Sequence, residues 1–119
     1  MKKKILAILL TATIMLLVTA CRASLNENNV RTAKSIINTV DSYLDGDMDA
    51  ETAHDKIEKE YYSIDDNDDN EMECLSFSTD TLFISTELSS MAYDGSGDVA
   101  KIKDYRNEIA QLIGEKKYR

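Results

Sequence analysis

Past residue 24 the apolar positions fall at helical rather than strand spacing. Val30, Ala33, Ile37, Val40 and Leu44 recur at three- and four-residue steps, which gathers them on one side of a helix. Ser24-Leu25-Asn26-Glu27 reads as a capping box ahead of them, with Ser24 at the N-cap, and Gly46 supplies a left-handed stop. The spacing predicts a first helix near 26–45. Asp47-Met48-Asp49 offers caps for a second, whose stripe is Ala50, Ala53, Ile57, Tyr61 and Ile64, with Glu51, Asp55, Glu58 and Lys59 largely outside it. The short link between the two predicts an antiparallel hairpin.

Asp65 to Asn70 is a polar break, since aspartate and asparagine prefer caps and turns to helix interiors. Residues 71–93 are ambiguous. Leu75, Phe77 and Thr79 alternate as a strand would. Leu75, Leu82 and Phe83, with Phe77, Ile84, Leu88 and Met91, instead mark two adjoining helical stripes. A lone hairpin would lack sheet partners, so one helix with a wide apolar surface is the expectation and a hairpin the alternative. After the turn Asp94-Gly95-Ser96-Gly97, Asp98 caps a last helix carrying Val99, Ile102, Arg106, Ile109 and Ile113, with Tyr105 and Leu112 beside them. Arg106 is expected to lay its stem on the core and keep its head wet. Lys116, Lys117 and Arg119 are expected at that helix's end, where cations suit the dipole. The fold predicted is all-α: a small antiparallel up-and-down bundle of four helices, or three, spanning 26–116.

The N-terminus follows another pattern. Met1-Lys2-Lys3-Lys4 precedes an apolar run from Ile5 to Ala20, the layout of a secretory signal. The run is short for a bilayer span, which needs about 20 residues, so a plain transmembrane anchor is the second reading. Val18-Thr19-Ala20-Cys21 resembles the lipobox of bacterial lipoproteins, with valine where leucine is usual. The resemblance covers residues 1–21 and implies cleavage after Ala20, with Val18, Thr19 and Ala20 read by the peptidase. It also implies a lipidated Cys21, whose sulfur takes a diacylglyceryl group, with palmitate-like acyl chains holding the protein at the extracytoplasmic face of a cell membrane. Residues 21–25 would then be the lipidated cysteine and a short tether. An ordinary cleaved signal with a chance cysteine is the remaining alternative. The rest of the chain resembles small acidic helical lipoproteins of unassigned function.

Cleavage leaves 99 of 119 residues, enough for one small domain, and removing Lys2, Lys3 and Lys4 takes the net charge from −8 to −11. So acidic a domain disfavours nucleic acid, whose phosphates want a basic face, and directs the expectation to a cationic protein partner. With Cys21 lipidated, Cys74 has no partner in the chain and reads as a small core residue. The chain holds no proline, 4 glycines and 6 tyrosines, which suits long helices with half-wet aromatic edges.

Several groups invite a chemical test. Counting Asp65 as position one of a calcium loop puts Asn67 and Asp69 at three and five, but Asn70 stands at the glycine position and Ser76 at the bidentate glutamate. Asp45 to Asp49 fails likewise, and the expectation at 65–70 is a solvated loop. Gly95-Ser96-Gly97 is flanked by Asp94 and Asp98, which would repel a phosphate, so it reads as a flexible linker. His54 is the single histidine, and adjacent Asp55 points about 100° away around a helix, poorly placed to orient its ring. Zinc would need acidic residues to complete its ligands. Asp80 and Glu87, seven apart, share one helix face and are expected in solvent. Tyr62 should point away from the core, where it is a possible partner contact.

No metal, cofactor or small-molecule substrate is therefore expected, and no enzymatic activity. The function expected is a lipid-anchored cell-envelope binding module. Its alternatives are an immunity- or inhibitor-type lipoprotein neutralising a cationic protein or peptide, and a structural assembly factor. A transport-type solute-binding lipoprotein would need a far longer chain.

Overall fold

A computed structural model describes residues 24–119. The expected signal segment and the expected lipobox residues Val18, Thr19, Ala20 and Cys21 lie outside the described residues. Four helices make up the domain: α1 Glu27–Leu44, α2 Ala50–Tyr62, α3 Glu71–Tyr93 and α4 Val99–Leu112. No strand occurs among the described residues, and none of their helices is long and apolar enough to cross a membrane. The α1–α2, α2–α3, α3–α4 and α4–α1 pairs pack around one core, which leaves α1 and α3 nearly diagonal.

α1 starts two residues later than the capping box suggests. Asn26 is the N-cap, and its Oδ1 accepts from the Asn29 N–H at 2.8 Å. Leu25 explains the shift. It is buried in the core just before the cap, and Val30 packs on the same core four residues into the helix, as a hydrophobic staple requires. Leu25, expected in the tether, therefore belongs to the folded body. Ala33, Ile36, Ile37 and Val40 form the buried stripe. At Gly46, with φ at 83°, the chain closes a Schellman turn: the Gly46 N–H donates to Tyr43 and the Asp47 N–H to Ser42.

Asp49 caps α2 by accepting from the Thr52 N–H at 2.8 Å, and Ala53 and Ile57 point inward. α3 is continuous over 23 residues, which removes the hairpin alternative. Of its two apolar stripes only one enters the core, through Cys74, Phe77, Thr81, Ile84 and Leu88. Leu75, Leu82 and Phe83 stay on the surface. The wide buried surface expected of a central helix is thus half that width, because α2 and α4 cover only one side of α3.

The turn into α4 is a packed corner, not the loose linker expected. Gly97 sits so close to α3 that a Cβ would collide with the Glu87 carbonyl oxygen and the Met91 side chain. α4 ends at Leu112, in a second Schellman turn at Gly114, where φ is 71° and the Glu115 N–H donates to Ala110. Lys116, Lys117 and Arg119 therefore lie beyond the helix. Arg106 also departs from expectation, for its head is dry. The guanidinium grips Asp41 of α1 through two bonds of 2.8 and 2.9 Å and donates to the Lys116 carbonyl at 2.6 Å. Tyr118 completes this strap, donating its hydroxyl to Asp45 and its N–H to Asn107.

Candidate functional site

The acidic loop between α2 and α3 is partly buried rather than solvated throughout. Asn29 is fully enclosed and Asp68 is 3% exposed. Asn29 Nδ2 donates to the Asp65 carbonyl and to Asp68 Oδ2, both at 2.9 Å, while its Oδ1 accepts the Asp65 N–H at 2.8 Å. Asp68 also accepts the N–H groups of Asn26 and Asn70. Burial alone pushes the Asp68 carboxyl upward, but these donors outweigh it and hold the group below its ordinary range. The Asp65 carboxylate is likewise engaged, by Asn67 and by the Asn26 amide. What resembled a fragment of a calcium loop is a clasp that fastens the α2–α3 connection to the start of α1. Cys74 closes it underneath. Burial, then the nearby Asp68, Asp66 and Asp65 charges, raise its thiol pKa, so it stays protonated and inert.

The other titratable pairs are rearranged. Asp80 does not meet Glu87 and is not in solvent. It is buried between α3 and α4, and burial together with the neighbouring Glu108 carboxyl pushes it up to about 8. Glu87 instead accepts the Asp98 N–H at 2.8 Å and fixes the Gly97 corner. His54 and Asp55 do meet despite their adjacency, with Nδ1 3.4 Å from Oδ1, and the imidazole ring stands nearly perpendicular to the Tyr93 ring with centres 6.5 Å apart. The Glu58 carboxylate joins them, and the three ligand atoms lie within 4.8 Å of one another. All three sit on one helix, with the two carboxylates exposed. Here they form an acidic edge beside Tyr93.

The remaining surface feature is the outward side of α3. Met72, Leu75, Thr79, Leu82, Thr86 and Tyr93 follow one another at steps of three, four and seven, with Phe83 beside them. Exposure reaches 73% at Met72, 63% at Leu75 and 65% at Tyr93. None of the four acidic residues of α3 falls within this stripe. Asp80 turns inward, Glu87 turns to Asp98, Glu73 is half-buried, and Glu71 marks the start. At that start a cleft of about 410 Å³ opens between α2 and α3, walled by Tyr61 and Tyr62, floored by Cys74, Leu75 and Ser78, and edged by Asp66 and Glu71. Tyr62 is 76% exposed and stands edge-on to Tyr61, with ring centres 5.5 Å apart. Sequence spacing singled out Tyr62 and the Leu75, Leu82 and Phe83 stripe but missed Met72 and the outward direction of that stripe. The signal was there, in threonines recurring in register with the leucines.

Tyr62, Met72, Leu75, Leu82, Phe83 and Tyr93 are large apolar side chains left exposed, the kind of surface through which proteins meet partners. Comparison with known protein families, characterised proteins and solved structures finds no match for this chain.

Proposed function

We propose that this protein is a lipid-anchored, non-enzymatic binding module of the cell envelope, held at the extracytoplasmic face of a membrane by acyl chains on Cys21. The basic start, the apolar run and the Val18-Thr19-Ala20-Cys21 lipobox support the anchor. The observation that carries the binding role is the exposed apolar stripe of α3 with its tyrosine-walled cleft. A monomer without a partner gains nothing from leaving Met72 and Leu75 in water, and a partner would cover them. Replacing Cys21 with alanine tests the tether. The expected result is a protein that no longer fractionates with membranes, or that keeps its signal segment and the larger mass. A Cys21→Ala protein of mature size that still partitions into detergent would overturn it.

Two finer readings have separate support. Asp66 and Glu71 at the cleft favour capture or neutralisation of a cationic protein or peptide. The length of the apolar stripe favours a structural role in envelope assembly. Salt separates them, since charge-steered capture weakens as ionic strength rises and apolar assembly does not.

A further inference from the structure

In a protein whose residues are 30% charged, a helix of 23 residues presents an uncharged face to solvent along its length. Large side chains at Met72, Leu75, Leu82 and Phe83 alternate there with the smaller Thr79 and Thr86. That alternation makes the ridges and grooves into which another helix packs. From Met72 to Tyr93 the stripe runs about 32 Å at ~1.5 Å per residue, so a helix of roughly 20 residues would match it.

Charge decides what kind of helix. Asp66 and Glu71 edge the cleft at one end. Asp55 and Glu58 gather around His54 at the other, where the histidine ring meets Tyr93. A second copy of this chain would bring acid against acid, whether the two α3 helices ran parallel or antiparallel. A bilayer with anionic headgroups would repel the same ends. We propose that the outer face of α3 seats a cationic amphipathic helix of a partner protein, apolar side on Leu75, Leu82 and Phe83, lysines or arginines toward Asp66 and Glu71 and toward Asp55 and Glu58. This rests on the binding-module reading and names its occupant.

The test uses the full chain in phosphatidylcholine nanodiscs and a fluorescent 18-residue leucine–lysine amphipathic helix as probe, with empty discs as the blank. Saturable binding is expected. It should weaken at least tenfold in the Leu75→Asn, Leu82→Asn double variant, whose helical circular dichroism should be unchanged because both sites are exposed. Asp66→Asn with Glu71→Gln should also weaken it and flatten its salt dependence. A leucine–glutamate helix of the same shape, and an oligolysine of the same charge, should bind at least tenfold less tightly. Equal binding by the double variant, or by the leucine–glutamate helix, overturns the proposal. So does a Phe83→Cys protein that forms disulfide-linked dimers in place of probe binding, which would assign the face to a second copy. A Cys21→Ala protein of mature size that keeps its membrane association while probe binding stays intact would refute the anchor and leave the face standing; loss of the tether in Cys21→Ala with no saturable probe binding by the wild type would refute the face alone.

Discussion

At Asp80 a carboxyl sits where water barely reaches, beside a second carboxyl on the facing helix. Its pKa in the fold, about 8, stands above the ordinary 3.8. The fold therefore holds a proton that the unfolded chain releases. Asp80's contribution to stability is complete below about pH 4 and is lost as pH rises towards 8. Asp80→Asn keeps the neutral shape and removes the titration. Its melting temperature should fall less than the wild type's between pH 5 and pH 9, and equal declines in both proteins would contradict the assignment. Asn29 works the other way, through geometry rather than charge. Replacing it with alanine strands the Asp65 N–H and one lobe of Asp68 in a dry site. The cost should be about 2–3 kcal/mol, read from urea unfolding. Neither residue advertises this in the sequence, because their partners lie elsewhere in the chain: 36 and 39 positions away for Asn29, and on α4 for Asp80.

Among the elements, what was legible was whatever is local. The helix starts, the Asp49 and Asp98 caps and the stop at Gly46 follow from residues within one turn of each other, and the spacing placed them within a residue or two; the end of α4 it placed too late, because Lys116, Lys117 and Arg119 lie past the turn at Gly114. The α3 stripes were legible as stripes. Which of them faces inward was not, since a helical period carries no information about which side its neighbours cover. Ser24 failed as a cap because burial of Leu25 outranked a local pattern. The Gly97 corner offers a direct comparison. Gly97→Ala should destabilise by about 1–3 kcal/mol, because its methyl meets backbone and core side chain. Gly95→Ala has open space around it and should cost about 1 kcal/mol for its left-handed φ of 65°. Thermal melts of the two variants would reverse that order if the corner were a loose linker.

For the whole molecule, the C-terminal strap decides how firmly the ends of α1 and α4 are joined. Arg106 binds Asp41 and the Lys116 carbonyl at once, and Tyr118 reaches Asp45. Asp41→Ala would leave a buried guanidinium without its carboxylate and should cost about 3 kcal/mol in chemical denaturation. The double change Asp41→Leu with Arg106→Met should recover most of it, since the pair's desolvation cost disappears with the charges. No recovery in the double variant would mean that the strap, rather than the ion pair, carries the stability. Sequence pointed to Arg106 as a snorkelling residue because its acceptors, 65 positions upstream and 10 downstream, are invisible to a pattern confined to one helix.

On the proposed lipid anchor, Leu25 would set the geometry of the domain relative to the membrane. Only Arg22, Ala23 and Ser24 separate the proposed lipid attachment from a residue already locked in the core, a leash of at most about 14 Å. Both α1 and α3 then start near the lipid, so the tyrosine cleft would hover just above the headgroups while Tyr93 stands farther out. A binding partner confined to the same sheet of lipid would meet that cleft at a high local concentration, while one diffusing freely would have to squeeze between protein and bilayer to reach it. Under the proposed anchor, such a leash would sort visitors by where they live before any side chain has touched them.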